Sequence, residues 1–237
     1  MTQELWRLDD ISVASGSNFT RVNSNYTLNN TTAGTLSRTT ASPTPIQGGG
    51  CYRFNDDNVP LRLRTAGGSE LSAGVFYVDY YLYLPSSVNA DNYQLLTTGN
   101  DSTVQYTLAS FFEDGKIGWG SYDTTNGFVQ TAVSAAGVIP KSEWVRVAIK
   151  TAANGAAEIK VFKGKNINGT TADSTISTTW SYSNWQWVGI ACADTSGSAP
   201  WFDSVILDNS AYPTRAEGSA SSTATASANA SLEKTPV

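Results

Sequence analysis

The sequence predicts an all-β protein, an antiparallel sandwich of two sheets, and three observations carry that prediction. Residues 142 to 163 spell a β-hairpin: Val145, Val147 and Ile149 fall on one side and Trp144, Arg146 and Lys150 on the other, the period-two alternation of a half-buried strand. The loop of this hairpin carries Asn154-Gly155, two residues that tolerate positive φ. Short alternating runs separated by polar or Gly-containing breaks then recur along the chain, and none shows a helical stripe of more than two turns.

In order, the runs fall at residues 5 to 13, 50 to 54, 74 to 84, 93 to 98, 104 to 112, 116 to 122, 128 to 133, 144 to 150, 158 to 163, 185 to 192 and 201 to 208. Strands at this spacing suit two sheets packed face to face, each strand apolar toward the other sheet. The Ser/Thr/Asn-rich passage from 14 to 49 closes with Ala41-Ser42-Pro43-Thr44-Pro45 and Gly48-Gly49-Gly50, and is expected to hold loops with one or two edge strands. The expected organisation is one sandwich domain over residues 1–212 and a Ser/Ala/Thr-rich C-terminal tail over 213–237. From Ala216 onward only Leu232 and Val237 are bulky and apolar. Such a tail cannot bury enough surface to offset its ordering entropy, so it is expected to be extended or ordered by a partner.

Composition narrows the function. Charged residues make up 15 % of the 237 residues, against roughly 25 % in average soluble proteins, while hydroxyl and amide side chains abound. A net charge of −5 argues against a nucleic acid partner, which needs clustered Lys and Arg to displace counterions. No stretch approaches the ~20 apolar residues of a membrane span. The start, Met1 to Asp10, lacks the basic and apolar regions of a secretion signal, so the expectation is synthesis in the cytoplasm. Cys51 and Cys192 sit in apolar alternating runs and read as two buried thiols rather than a disulfide. The sequons at Asn18, Asn25 and Asn168 follow from an Asn/Thr-rich chain. Histidine is absent. That removes Ser-His-Asp, Cys-His and His-based zinc chemistry together, leaving carboxylates, calcium or no chemistry.

Four segments in this order resemble the concanavalin A-like, laminin G-like lectin/glucanase superfamily. Ser72-Ala73-Gly74-Val75-Phe76-Tyr77-Val78-Asp79-Tyr80-Tyr81-Leu82-Tyr83 is similar to its early core strand. Phe111-Phe112-Glu113-Asp114-Gly115-Lys116-Ile117 is similar to its strand, Asp-Gly turn and strand. Glu143 to Ile149 with Val161-Phe162-Lys163-Gly164 resembles its tryptophan-led hairpin, and Phe202-Asp203-Ser204-Val205-Ile206-Leu207-Asp208 its closing strand. The resemblance implies a jelly-roll sandwich whose first strand, Trp6 to Val13, pairs with its last. It does not fix function, because the same sandwich hosts lectins, glycosidases, adhesion modules and spacers.

Glycosidases of this superfamily carry carboxylates as Glu-x-Asp-x-x-Glu on one strand. None of Glu4, Glu70, Glu113, Glu143, Glu158, Glu217 and Glu233 has another glutamate at that spacing, and Asp9 and Asp10 point to opposite faces. No catalytic residue is therefore assigned and no cofactor is expected. Calcium is the ion left open, with Asp56, Asp57 and Asn58 in one loop and Asp194 in another as candidate ligands, although solvated turn carboxylates read more plainly.

Aromatic residues supply the candidate binding surface. In the strand from 75 to 84 the even positions Phe76, Val78, Tyr80, Leu82 and Leu84 read as core. The odd positions Tyr77, Asp79, Tyr81 and Tyr83 form a tyrosine row with one carboxylate, suited to stacking a sugar or docking a peptide, unless loops of the same domain cover it. Trp185 and Trp187 project opposite to Val188, Ile190 and Cys192, and Trp119 stands with Tyr122 and Asp123 as a third candidate. The leading expectation is a non-enzymatic structural and interaction protein on a bacteriophage virion, as head decoration or tail appendage. Its partners would be other virion subunits, copies of itself included, with a capacity for host-surface glycan. The alternative is a carbohydrate-binding module or adhesin working through Tyr77, Tyr81, Tyr83 or the Trp185/Trp187 pair. A third reading, a glycosidase or lyase, would use an atypical pair such as Glu113 and Asp123.

Overall fold

Alternating strands pair into two antiparallel sheets in the computed structural model, which describes residues 4–8, 26–29, 36–47, 50–54, 61–65, 74–88, 93–100, 104–112, 114–182, 185, 187–190, 200–213 and 215. Its strands are β1 (Glu4–Leu8), β2 (Tyr26–Asn29), β3 (Leu36–Thr39), β4 (Cys51–Phe54), β5 (Leu61–Thr65), β6 (Val75–Tyr83), β7 (Tyr93–Asn100), β8 (Gln105–Phe111), β9 (Ile117–Asp123) and β10 (Gly127–Val133), then β11 (Trp144–Ala152), β12 (Asn154–Lys163), β13 (Ser174–Ser181), β14 (Trp187–Ile190) and β15 (Trp201–Asp208). One sheet runs β13-β12-β11-β6-β15-β4-β3, with β1 added along β15; the other runs β10-β9-β8-β7-β14-β5-β2. The first strand does pair with the last, Trp6 opposite Leu207 and Leu8 opposite Val205.

Period-two patterning builds the core between the sheets. Phe76, Val78, Tyr80 and Leu82 of β6, Val145, Val147 and Ile149 of β11, and Ile159 and Val161 of β12 are buried in one cluster with Leu96, Phe111, Ile117, Trp119 and Val188 of the facing sheet. Each such side chain contributes about 1.5–3 kcal/mol on burial. A hydroxyl chain crosses the core: Thr98 of β7 lies 2.6 Å from Thr107 of β8 and 3.2 Å from Thr151 of β11, oxygen to oxygen. These buried hydroxyls satisfy one another across the sheets.

The structure adds strands that period-two reading passes over. β13 holds only Ile176 and Trp180 as apolar residues in a Ser/Thr run, because it is the edge of its sheet and every second residue faces solvent. β2 and β3 are the edge strands expected within the Ser/Thr/Asn-rich passage, while β5 is a short strand between β2 and β14. Asn154-Gly155 is not a tight turn. β11 and β12 pair only as far as Lys150 opposite Glu158. Beyond that point β11 continues along β6, and Asn154 and Gly155 open β12 by pairing with Ser181 and Trp180. Gly155, at φ +108°, makes that departure, a conformation costly to any side chain bearing a Cβ.

Candidate functional site

The outward face of the larger sheet holds a dense polar arrangement, and strand register assembles it. Tyr81 of β6 lies between Arg146 of β11 and Asp203 of β15, and Asp79 lies between Ala148 and Ile206. Partners directly opposite share a face, so the odd positions of β6 meet the polar side of the hairpin. β15 bulges between Asp203 and Ile206, and Ser204 within the bulge adopts φ +51°. This left-handed conformation is uncommon outside glycine and re-aims Ser204 toward the same face.

Asp79 is the centre. Arg146 Nε donates to its Oδ2 at 2.9 Å and Arg215 Nε to its Oδ1 at 2.6 Å. The Asp79 side chain is fully buried and that of Arg215 only 2 % exposed. Arg215 spends its remaining donors on the Asp79 carbonyl, on Gln47 Oε1 and on both the hydroxyl and the carbonyl of Ser204. Its guanidinium also lies 4.5 Å over the Tyr81 ring. Asp203 Oδ2 accepts the backbone N–H groups of Ile46 and Gln47 at 2.7 and 2.9 Å, tying the 39–47 segment across the sheet. The Tyr81 hydroxyl donates to Asn168 Oδ1 at 2.5 Å and accepts from Gln47 Nε2 at 3.0 Å. Burial, outweighing the flanking guanidiniums, pushes its ionisation up, so it stays a neutral phenol.

Beside this network lies an open groove of about 370 Å³, lined by Arg146, Lys160, Phe162, Asn168, Tyr212 and Arg215 among others. Arg146 stacks over Phe162 at 4.4 Å and Lys160 over Tyr212 at 4.4 Å. Tyr212 donates to Glu158 Oε1 at 2.7 Å, and Lys160 pairs with the same oxygen at 2.9 Å. Burial pushes the Glu158 carboxyl up, but the hydrogen bonds from Lys160 and Tyr212 together outweigh it and hold the group below the usual carboxylate range.

The sequence-predicted residues distribute unevenly. The tyrosine row does not form an open surface: Asp79 and Tyr81 are buried beneath Arg215 and the segments at 46–47 and 168–169, a cover supplied by the domain's own chain. Tyr77 is half-buried with its ring edge-on to Tyr212 at 5.0 Å, and Tyr83 half-buried beside Trp144 at 5.5 Å. Trp119 and Trp185 face the interior instead of the surface, joined through Trp180 and Tyr182 in a chain of ring contacts with centroids 5.7 to 6.2 Å apart. Their size and apolarity place them in the inter-sheet space, where such rings bury most surface. Trp187 lies in β14 opposite Gly99, and its side chain is outside the described residues, as are Asp56, Asp57, Asp194, Cys192 and Glu113. Asp123 caps its own turn by accepting the N–H groups of Thr125 and Asn126. Among the described residues no three His, Cys, Asp or Glu side chains are grouped to hold a metal ion.

Lys160, Phe162, Asn168, Tyr212 and Arg215 escaped the sequence reading. A usable sign existed in Arg146, which faces outward by parity like Asp79; Arg215 stood in what composition marks as tail, yet its side chain is buried against Asp79.

No family model matches the chain, and no curated protein does. Among solved structures, the botulinum neurotoxin serotype G binding domain aligns with a TM-score of 0.50 and 10 % identity, covering 87 % of this chain and 48 % of its own. The receptor-binding domain of the C/D mosaic serotype aligns with a TM-score of 0.51 and 6 % identity, over 89 % and 49 %. That of botulinum neurotoxin D gives 0.50 and 7 %, over 89 % and 50 %. The chain thus spans about half the length of these domains. At such identities the likeness is one of fold, and the fold is an all-β, antiparallel two-sheet jelly-roll sandwich.

Proposed function

We propose that this chain is a non-catalytic recognition domain that grips saccharide in the groove on the outward face of the larger sheet. The observation that carries the reading is the groove's construction: two aromatic rings and several N–H donors line it, and a buried ion network holds them in place. Preformed donors cost little ordering entropy when a ligand arrives. The carboxylates around the groove support binding over acid–base work. Asp79 is held by two arginines and Glu158 by Lys160 and Tyr212. The solved structures of like fold include domains described as receptor-binding. Thr170, exposed at the groove's rim, gives the test. On a glycan array followed by calorimetry, the intact chain is expected to bind and Thr170→Trp to lose binding with its melting temperature unchanged. Full retention of binding in Thr170→Trp, or no saccharide bound by the parent chain, overturns the reading.

A finer reading sets this domain on a bacteriophage virion, as head decoration or tail appendage, among copies of itself and other subunits. The part of it that the fold supports is contact with further subunits, through β10, an edge strand without a charged residue that exposes Phe128, Val129 and Val133. Edges of this kind are usually protected by charge or proline unless another chain covers them. Co-sedimentation with purified particles tests it, and a chain that stays monomeric and never joins particles sinks it.

A further inference from the structure

We infer that the groove selects an anionic saccharide, one that carries a carboxylate or a sulfate; the inference rests on the proposal that the groove binds saccharide at all. Among the described residues, the charged side chains lining the groove are Arg146, Lys160 and Arg215, with no carboxylate among them. Asp79 and Glu158 offset part of that charge from behind, one bridging the two arginines and the other holding Lys160. In a chain of net charge −5 this is a local reversal of sign.

The rings point the same way. A neutral sugar usually lays its C–H face on an open aromatic face, but here one face of Phe162 is taken by the Arg146 guanidinium and one face of Tyr212 by the Lys160 ammonium. Tyr212 also meets Tyr77 edge-on, and Phe162 is only 3 % exposed. The groove therefore offers cations laid over rings, and an acceptor with negative charge gains more from them than an apolar sugar face does.

Donor capacity separates the three cations. Arg215 commits every nitrogen to Asp79, Gln47 and Ser204, so it positions the others. Arg146 uses Nε on Asp79 and Nη1 on the Gly169 carbonyl, which leaves Nη2 without a hydrogen bond among the described residues. Lys160, its side chain 30 % exposed, gives one of its three protons to Glu158. Arg146 Nη2 and Lys160 Nζ are thus the charged donors left for a ligand, and one anionic group reached by both is the chemistry they fit.

Calorimetry on the intact chain, with oligosaccharides that share a backbone and differ only in being neutral, carboxylated or sulfated, tests this at low and raised salt. The charged ligands are expected to bind about 10-fold tighter than the neutral one, with salt weakening only them, and Lys160→Gln to remove that advantage while Lys160→Arg keeps it. The carboxylated and sulfated arms identify which anion is preferred. If the neutral ligand binds as tightly as both charged ones and Lys160→Gln changes nothing, anion selection falls while saccharide binding stands. If none of the three binds, the saccharide reading falls and this inference with it.

Discussion

Asp79 sets the energetic terms at the residue scale. A buried carboxylate is tolerable only when its charge is matched and its lone pairs are filled, and here two guanidiniums do both. Arg215→Ala would leave Arg146 as the sole cation on Asp79 and unsatisfy the carbonyls of Asp79 and Ser204. A loss of about 3 kcal/mol is expected in urea denaturation, with Arg215→Lys only partly restoring it because an ammonium cannot fork across these acceptors. Glu158 gives a pH-dependent counterpart. Its folded-state ionisation is held low, so its contribution is present at neutral pH and disappears as the pH falls through the folded value, below the ordinary carboxylate range of about 4.3. Thermal melts should show Glu158→Gln less stable than the parent chain at pH 7, with the difference closing in acid; a gap that persists in acid would mean the loss is one of packing.

At the element scale, Trp144 shows how a strand end recruits a loop. Its indole Nε1 donates to the Thr44 carbonyl at 2.9 Å and its ring leans on Tyr83, so β11 and the segment at 39–47 are fastened together. Trp144→Ala is expected to cost about 3 kcal/mol, the lower end for large aromatic truncations because the ring is half-exposed, and an unchanged midpoint in chemical denaturation would refute the contact. The parity of β6 and β11 was legible because one face of each packs into the inter-sheet core, so that a slip of one residue would turn polar side chains into that core. β13 was not, because an edge strand with a mostly solvated face can be built from Ser and Thr. Gly155 illustrates a related limit: Asn-Gly marks a place of positive φ, while neighbouring strands decide whether the chain turns there or departs along a new partner.

Across the whole molecule, Tyr212 and Arg215 strap the larger sheet and close its polar face. Tyr212 docks on Tyr77, Glu158 and Lys160, and Arg215 on Asp79 and Ser204. A chain truncated after Arg215 is expected to melt like the full-length protein, whereas truncation after Ala211 should lower the melting temperature by about 10 °C, as ~3 kcal/mol does for a domain of this size. Equal melting of the two truncations would show that the strap adds nothing.

Sequence by itself determined the class of fold and the outward parity of Tyr77, Asp79, Tyr81 and Tyr83, since alternation is local and binary; the pairing of first and last strands was implied only by the resemblance to a known superfamily. It also excluded histidine-based chemistry. Only the tertiary structure decided which of those outward residues reach solvent. Asp79 and Tyr81 vanish under Arg215, Gln47 and Asn168, residues as far as 136 positions away, and Lys160 and Tyr212 take over the groove. Period-two patterning says which way a side chain points; what lies above it depends on long-range closure, and a one-dimensional pattern does not encode that contact.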